Sequence, residues 1–150
     1  MDIPFYYRTL DWQKLVADYP PAPHFFDGVW SWPRERIEAM QTERMRAAVA
    51  RAWDTPFYRR RWSAAGVHPG DIRTLSDLSR IPYYTVDDIR ESIALSPPYG
   101  DYQGRPASAV ANEPLRVFWS GGTTGEPRPT LYTQWDREVG AILTQRITQL

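Results

Sequence analysis

From Arg34 to Trp53 the apolar residues Ile37, Met45, Ala48, Val49 and Ala52 recur at helical spacing, while Arg36, Glu38, Glu43, Arg44 and Arg46 fall largely between them. The spacing predicts a helix over this stretch, with a start signal at Ser31 before Pro33 and a stop at Thr55-Pro56. Phe57, Tyr58 and Trp62 then lie on one face of a short helical segment that runs from Pro56 and is capped by Gly66. His68-Pro69-Gly70-Asp71 is turn chemistry. Two more short helices are predicted, one from Thr74 to Ile81-Pro82 and one opened by Thr85 with Asp88 in a capping-box position. Residues 94–114 carry Pro97-Pro98, Gly100, Gly104 and Pro106 without periodicity and read as a loop.

The period then changes to two. Leu115 to Trp119 alternates like a strand, a second short strand is predicted from Thr130 to Thr133, and the glycine-rich run Ser120 to Pro127 joins them. Trp135, Val139, Ile142, Leu143, Ile147 and Leu150 describe a final amphipathic helix, with Thr133 and Asp136 at capping-box spacing. Leu150 falls inside that apolar pattern with no capping residue after it, so the expectation is a helix cut short and continued by further sequence. At the other end, residues 1–33 combine Trp12, Phe25, Phe26, Trp30 and Trp32 with the run Tyr19-Pro20-Pro21-Ala22-Pro23. Those prolines hold the chain extended and oppose helix. The expectation is an ordered, aromatic-pinned arm with a short helix from Trp12 to Ala17, followed by residues 34–150 as one further unit.

Composition narrows the function classes. A chain of 150 residues with 42% hydrophobic and 24% charged residues can build an ordinary core. The 18 basic and 18 acidic residues cancel, which removes the electrostatic reason to expect nucleic acid or an anionic membrane as partner. No apolar run reaches the ~20 residues needed to span a bilayer, and the N-terminus is no secretory signal, so the cytoplasm is the simplest compartment. Without cysteine there is no disulfide framework, thiolate metal site or Cys nucleophile. Lys14 is the single lysine among 17 arginines, so chemistry that needs a lysine must use Lys14 or a lysine from elsewhere.

Only the strand–loop–strand over residues 115–133 asks for a functional explanation. Gly121, Gly122, Thr123, Thr124 and Gly125 form a loop whose backbone N–H groups can converge on an anion, with two hydroxyls as further donors. Phosphate is the anion most often held this way. A glycine loop alone is equally well a tight turn. It is not a Walker A loop, because Glu126 stands where that motif has lysine, and its glycines do not open directly into a helix as in the dinucleotide fingerprint. His24 and His68, each beside proline, read as exposed structural residues, Arg59-Arg60-Arg61 as a solvated helix face, and Asp87-Asp88 as helix N-terminal charges. The aromatic residues are explained by core packing.

Gly122-Thr123-Thr124-Gly125-Glu126-Pro127 resembles the phosphate-binding loop of adenylate-forming enzymes, the acyl-CoA synthetase superfamily, with Arg128 where many members have lysine. Upstream, Pro56-Phe57-Tyr58-Arg59, Ala65-Gly66-Val67, Asp71-Ile72, Leu75-Ser76-Asp77-Leu78 and Ile81-Pro82 are similar in order and spacing to the N-terminal region of phenylacetate-CoA ligases. The resemblance covers residues 25–150. Two positions depart from it: Gly121 replaces the usual serine, removing one hydroxyl donor, and an extra residue lies between Pro127 and Tyr132.

This resemblance implies an α/β fold: N-terminal helices and the first strands of the large N-terminal domain, incomplete here. It implies activation of an aryl or arylacetic acid with ATP and Mg2+, then transfer of the acyl group to CoA. Ser120, Gly121, Gly122, Thr123, Thr124 and Gly125 would grip the β- and γ-phosphates, and Tyr132 would wall the acyl pocket. The adenine, ribose and metal sites and the lid lysine of the family would follow residue 150, so no catalytic residue is assigned and the chain alone is expected to be inactive. A missing C-terminal portion or a second subunit would complete it, and a homodimer is left open as its oligomeric state. The alternatives are a non-catalytic module that binds nucleotide or a partner, and an inactive truncated product.

Overall fold

The computed structural model describes residues 10–106, 108–109, 113–121 and 126–149. They fall into two compact units, one formed by the chain up to Trp32 together with the stretch from Ala109 onward, the other by Pro33–Ser108.

In the second unit the long helix α3 (Arg34–Asp54) is followed directly by α4 (Pro56–Ala64). Thr55 separates them: its N–H donates to the Ala52 carbonyl at 3.0 Å, and its own carbonyl accepts from Arg59 N at 3.0 Å. Pro56 occupies the first position of α4, where no N–H is needed. The helix ends as predicted at Gly66, which adopts φ +68°. Val67 N closes on Trp62 O at 2.9 Å and Gly66 N on Ser63 O at 3.0 Å, so two orphan carbonyls are satisfied. Met45, Val49, Trp62, Val67 and Ile72 form the core, flanked by Ala52, Trp53, Tyr58, Leu75 and Ile81. Ala48, placed on that apolar face by its spacing, is exposed. Ser31 is not the cap of α3 either; Pro33 holds that position without a side-chain bond, and the Ser31 hydroxyl donates to Gly28 O at 2.8 Å.

Beyond α4 the chain makes two 3-10 turns, Pro69–Asp71 and Leu75–Arg80, and then α5 (Val86–Leu95). The segment predicted as a helix from Thr74 is therefore 3-10 rather than α. It has six residues between its Thr74 cap and Ile81-Pro82, and the proline disfavours helical geometry at Ile81. The Thr85–Asp88 capping box that opens α5 forms as its spacing predicts.

In the other unit, α1 (Trp12–Asp18) is capped by Asp11, whose carboxylate accepts from Lys14 N at 2.9 Å. The proline run does not keep the chain extended through residue 23. A further helix, α2 (Ala22–Asp27), starts after Pro21, with Pro23 in its first turn, where a missing N–H costs nothing. This helix packs on α6 (Gln134–Thr148). Arg146 donates from Nε and Nη2 to Pro20 O at 3.0 and 2.6 Å and lies 4.1 Å from the Phe25 ring centroid. Gln145 Oε1 accepts from Ala22 N at 3.5 Å, next to the start of α2.

Between these helices in sequence lies an antiparallel hairpin, β1 (Arg116–Trp119) and β2 (Pro129–Tyr132). The register pairs Arg116 with Tyr132, Val117 with Leu131, Phe118 with Thr130 and Trp119 with Pro129. β2 starts and ends one residue earlier than its alternation predicts, because Thr133 is the N-cap of α6, its hydroxyl accepting from Asp136 N at 3.1 Å. Helices with a two-stranded sheet match part of the large domain that the resemblance implies.

Candidate functional site

The hairpin brings the two ends of the glycine loop together. Ser120 N donates to Arg128 O at 3.0 Å, one pair beyond the last strand residues. In return Arg128 N donates to the Ser120 hydroxyl oxygen at 3.0 Å. Pro129 is fully buried opposite Trp119; the alternation places that pair at a non-hydrogen-bonded position, where proline lacks nothing the ladder requires. Of the predicted phosphate ligands, Ser120 and Gly121 thus lie at the mouth of the loop, and a Cβ on Gly121 would meet nothing within 4 Å. Gly122, Thr123, Thr124 and Gly125 lie outside the described residues.

Tyr132 sits at the opposite end of β2. Three residues of strand separate it from Pro129, about 10 Å at ~3.4 Å per residue. The register puts Arg116, Phe118, Thr130 and Tyr132 on one face. There the Tyr132 ring meets Phe118 edge-on, centroids 5.3 Å apart, and both rings stay well exposed, at 38% and 52%. The hairpin therefore carries the Ser120–Arg128 bonds at its loop end and an open aromatic surface at its other end.

The candidates set aside on sequence grounds have structural partners. His68 is exposed; its Nδ1 accepts from Gly70 N at 3.2 Å and its ring meets Trp53 at 5.0 Å. His24 is exposed as well. The three consecutive arginines are not simply a solvated face. Arg59 Nε donates to Trp53 O at 2.8 Å, Arg60 binds Asp101 with both terminal nitrogens, and Arg61 joins Asp88 and Tyr83 O. Asp101 also accepts from the buried Ser92 hydroxyl at 2.7 Å. Burial raises the Asp101 carboxyl, but the hydrogen bonds from Arg60 and Ser92 outweigh it and leave the group below its ordinary value. Asp88 is held low chiefly by the Thr85 backbone N–H and hydroxyl, with Arg61 adding to them. Asp87 pairs with Arg90 at 2.7 Å. Among the described residues no three His, Asp or Glu side chains gather as a metal site, and no helix is long and apolar enough to cross a membrane.

Spacing did not reveal the Arg60–Asp101–Ser92 network, the Arg146–Pro20 link or the Ser120–Arg128 lock. The first two join residues 41 and 126 positions apart. The only local signal for the third is a serine at the strand-to-loop junction.

No family model matches the sequence. Known proteins place it beside adenylate-forming ligases. A 2-hydroxyisobutyryl-CoA ligase solved with 2-HIB-AMP and CoA in the thioesterification state superposes with a TM-score of 0.64 at 30% identity, over 77% of this chain and 24% of that one. The open conformation of that ligase, also with 2-HIB-AMP and CoA, gives a TM-score of 0.54 at 32% identity, over 69% and 22%. Among curated proteins the chain is similar to the N-terminal part of phenylacetate-coenzyme A ligases. It is 34% identical to that of Escherichia coli over 113 residues, 75% of this chain and 24% of the relative. The Thermus thermophilus enzyme is 38% identical over 115 residues, 76% and 24%. The Aromatoleum evansii enzyme is 32% identical over 127 residues, 84% and 27%. The chain thus spans about a quarter of the length of the curated relatives it matches.

Proposed function

We propose that residues 34–150 are the N-terminal part of the AMP-binding domain of an ATP-dependent aryl- or arylacetate-CoA ligase, with residues 1–33 as its arm, and that they supply the phosphate-binding loop. The observation that carries this reading is the Ser120–Arg128 closure of a hairpin whose intervening loop has the sequence Gly-Gly-Thr-Thr-Gly-Glu-Pro. Activation of a carboxylic acid by ATP expels pyrophosphate, and CoA thiol then displaces AMP. Charge develops on phosphate oxygens, so fixed N–H and O–H donors aimed at them lower the barrier. Gly121, Gly122 and Gly125 let the backbone approach those oxygens, Ser120, Thr123 and Thr124 add hydroxyl donors, and Tyr132, about a strand's length away, forms a wall for the acid. Among the described residues no cluster of side chains offers Mg2+ a site. The reaction takes place in the cytoplasm in this reading. Its remaining machinery comes from sequence equivalent to the other three-quarters of the relatives.

Titration calorimetry with Mg·ATP tests the loop. Thr123→Val with Thr124→Val removes two hydroxyl donors at nearly constant volume, and at about 1 kcal/mol each the affinity falls roughly tenfold or more. Unchanged affinity would contradict the assignment. ATP–pyrophosphate exchange with phenylacetate by the chain alone stays at the blank; exchange above it would show that the other machinery is dispensable.

A further inference from the structure

We propose that the face of α6 that seats the N-terminal arm is an exchangeable docking surface, and that the partner it takes is the arm of a second copy of this chain. The inference does not depend on the phosphate reading above. α6 reads the arm as a peptide, with side chains 123 and 126 positions further along the chain than the groups they bind. The first carbonyl used by α2 is that of Pro21, which accepts from Phe25 N at 2.9 Å. The Pro20 carbonyl stands outside that ladder, and Arg146 takes it with two N–H groups, at 3.0 and 2.6 Å. To one side of this bond the Tyr19 ring meets Trp135 edge-on at 6.3 Å, and to the other the Phe25 ring centroid lies 4.1 Å from the Arg146 guanidinium carbon. Ala22, fully buried, donates its N–H to Gln145 Oε1. Pro20 and Pro21 fix φ in this segment, so seating it costs little backbone entropy.

The connectivity allows either copy to supply the arm. The chain leaves the arm through Trp32 and Pro33, both extended with ψ 143° and 151°, and builds the Pro33–Ser108 unit before it returns to form β1, β2 and α6. An arm from another copy makes the same contacts with α6, and an exchanged pair is closed by a two-fold axis. A tethered arm has an effective concentration of about a millimolar in its own favour, so exchange needs surface that only the pair covers. That surface lies on the exchanged elements. Trp12 and Val16 are exposed one turn apart on α1, and Leu143 and Ile147 are exposed one turn apart on α6, Ile147 at 70%. In the pair, two arms and two α6 helices meet, and these apolar stripes pack on one another.

Sedimentation of the whole chain, refolded from urea and studied from roughly 10 µM to roughly 1 mM, tests the inference. The dimer fraction rises with concentration and passes one half well below the upper limit. In Leu143→Ser with Ile147→Ser, both at exposed positions, the dimer dissociation constant rises about tenfold or more, while the Ala22 and Phe25 amides keep their hydrogen-exchange rates because the arm stays seated. Seating in trans is read from a co-refolded mixture of isotope-labelled chain and unlabelled chain bearing a nitroxide at Asp27→Cys, the chain having no cysteine of its own. The labelled α6 amides around Gln145 and Arg146 broaden in the dimer. A chain that stays monomeric over the whole range overturns the proposal. So does a dimer whose labelled α6 amides stay sharp, because another surface then holds it. A double variant that associates as the wild type does overturns the role given to the stripes.

Discussion

Gly66 and Gly100 both adopt left-handed backbone, φ +68° and +79°, yet replacing each with alanine has very different consequences. An L-residue in that region costs about 1–2 kcal/mol, partly offset by the roughly 0.4–1 kcal/mol that alanine gains by restricting the unfolded chain. At Gly66 nothing lies within 4 Å of the new Cβ, so Gly66→Ala destabilises by about 1 kcal/mol and no more. At Gly100 the same methyl lands 2.7 Å from two carbons of the Tyr102 ring and 2.9 Å from Ser92 Oγ. Ordinary carbon contacts lie at about 3.5–4.0 Å, so roughly 1 Å of overlap must be relieved. Neither neighbour yields cheaply. Tyr102 packs on Phe57, and Ser92 is 1% exposed with its oxygen bonded to Asp101. Overpacking of this kind costs about 1–3 kcal/mol, so Gly100→Ala destabilises by about 2–4 kcal/mol in all. Both glycines belong to the Pro33–Ser108 unit, so urea unfolding followed by tryptophan fluorescence compares them within one transition. If Gly100→Ala costs no more than Gly66→Ala, the packing of the 96–102 turn on α5 is not as described.

Two further predictions concern protons. Because the folded-state Asp101 carboxyl lies below its ordinary 3.8, its contribution is fully present above that value and is lost as pH falls through the folded one. Asp101→Asn therefore lowers stability at pH 7 and flattens the acid limb below about pH 4 in a urea–pH series, while Asp77 and Asp88 keep part of that slope through their cap hydrogen bonds; an unchanged limb would contradict the network. Burial, aided by the neighbouring Tyr84 and Tyr102 hydroxyls, pushes the Tyr58 hydroxyl up to about 12. Its contribution is complete below pH 10 and is lost as pH rises toward 12, so Tyr58→Phe removes a late-ionising phenol from an absorbance titration and shifts alkaline unfolding to higher pH.

The parts of this fold legible in the sequence are those set by neighbours within a few residues. The Thr85–Asp88 and Thr133–Asp136 boxes and the Gly66 cap depend on spacing alone, and all three form. The proline run misled because proline opposes a helix interior but is at home in a first turn, and Pro23 sits in one. Ala48 misled because α3 buries only a narrow stripe around Met45 and Val49. The arginine run could not be resolved without knowing that Asp88 and Asp101 return to α4 from later in the chain. At the site, the strands and the loop sequence were readable, but the Ser120 lock follows from strand register, which alternation does not specify when the strands are four residues long.

The most direct measurement is a nitrogen–proton correlation spectrum of the chain titrated with inorganic pyrophosphate. The phosphate-loop reading predicts saturable shifts confined to residues 118–130, with Ser120, Gly121 and Arg128 among them and α3 to α5 silent. Shifts centred on Arg59, Arg60 and Arg61, or no saturable shift in the hairpin, would contradict it.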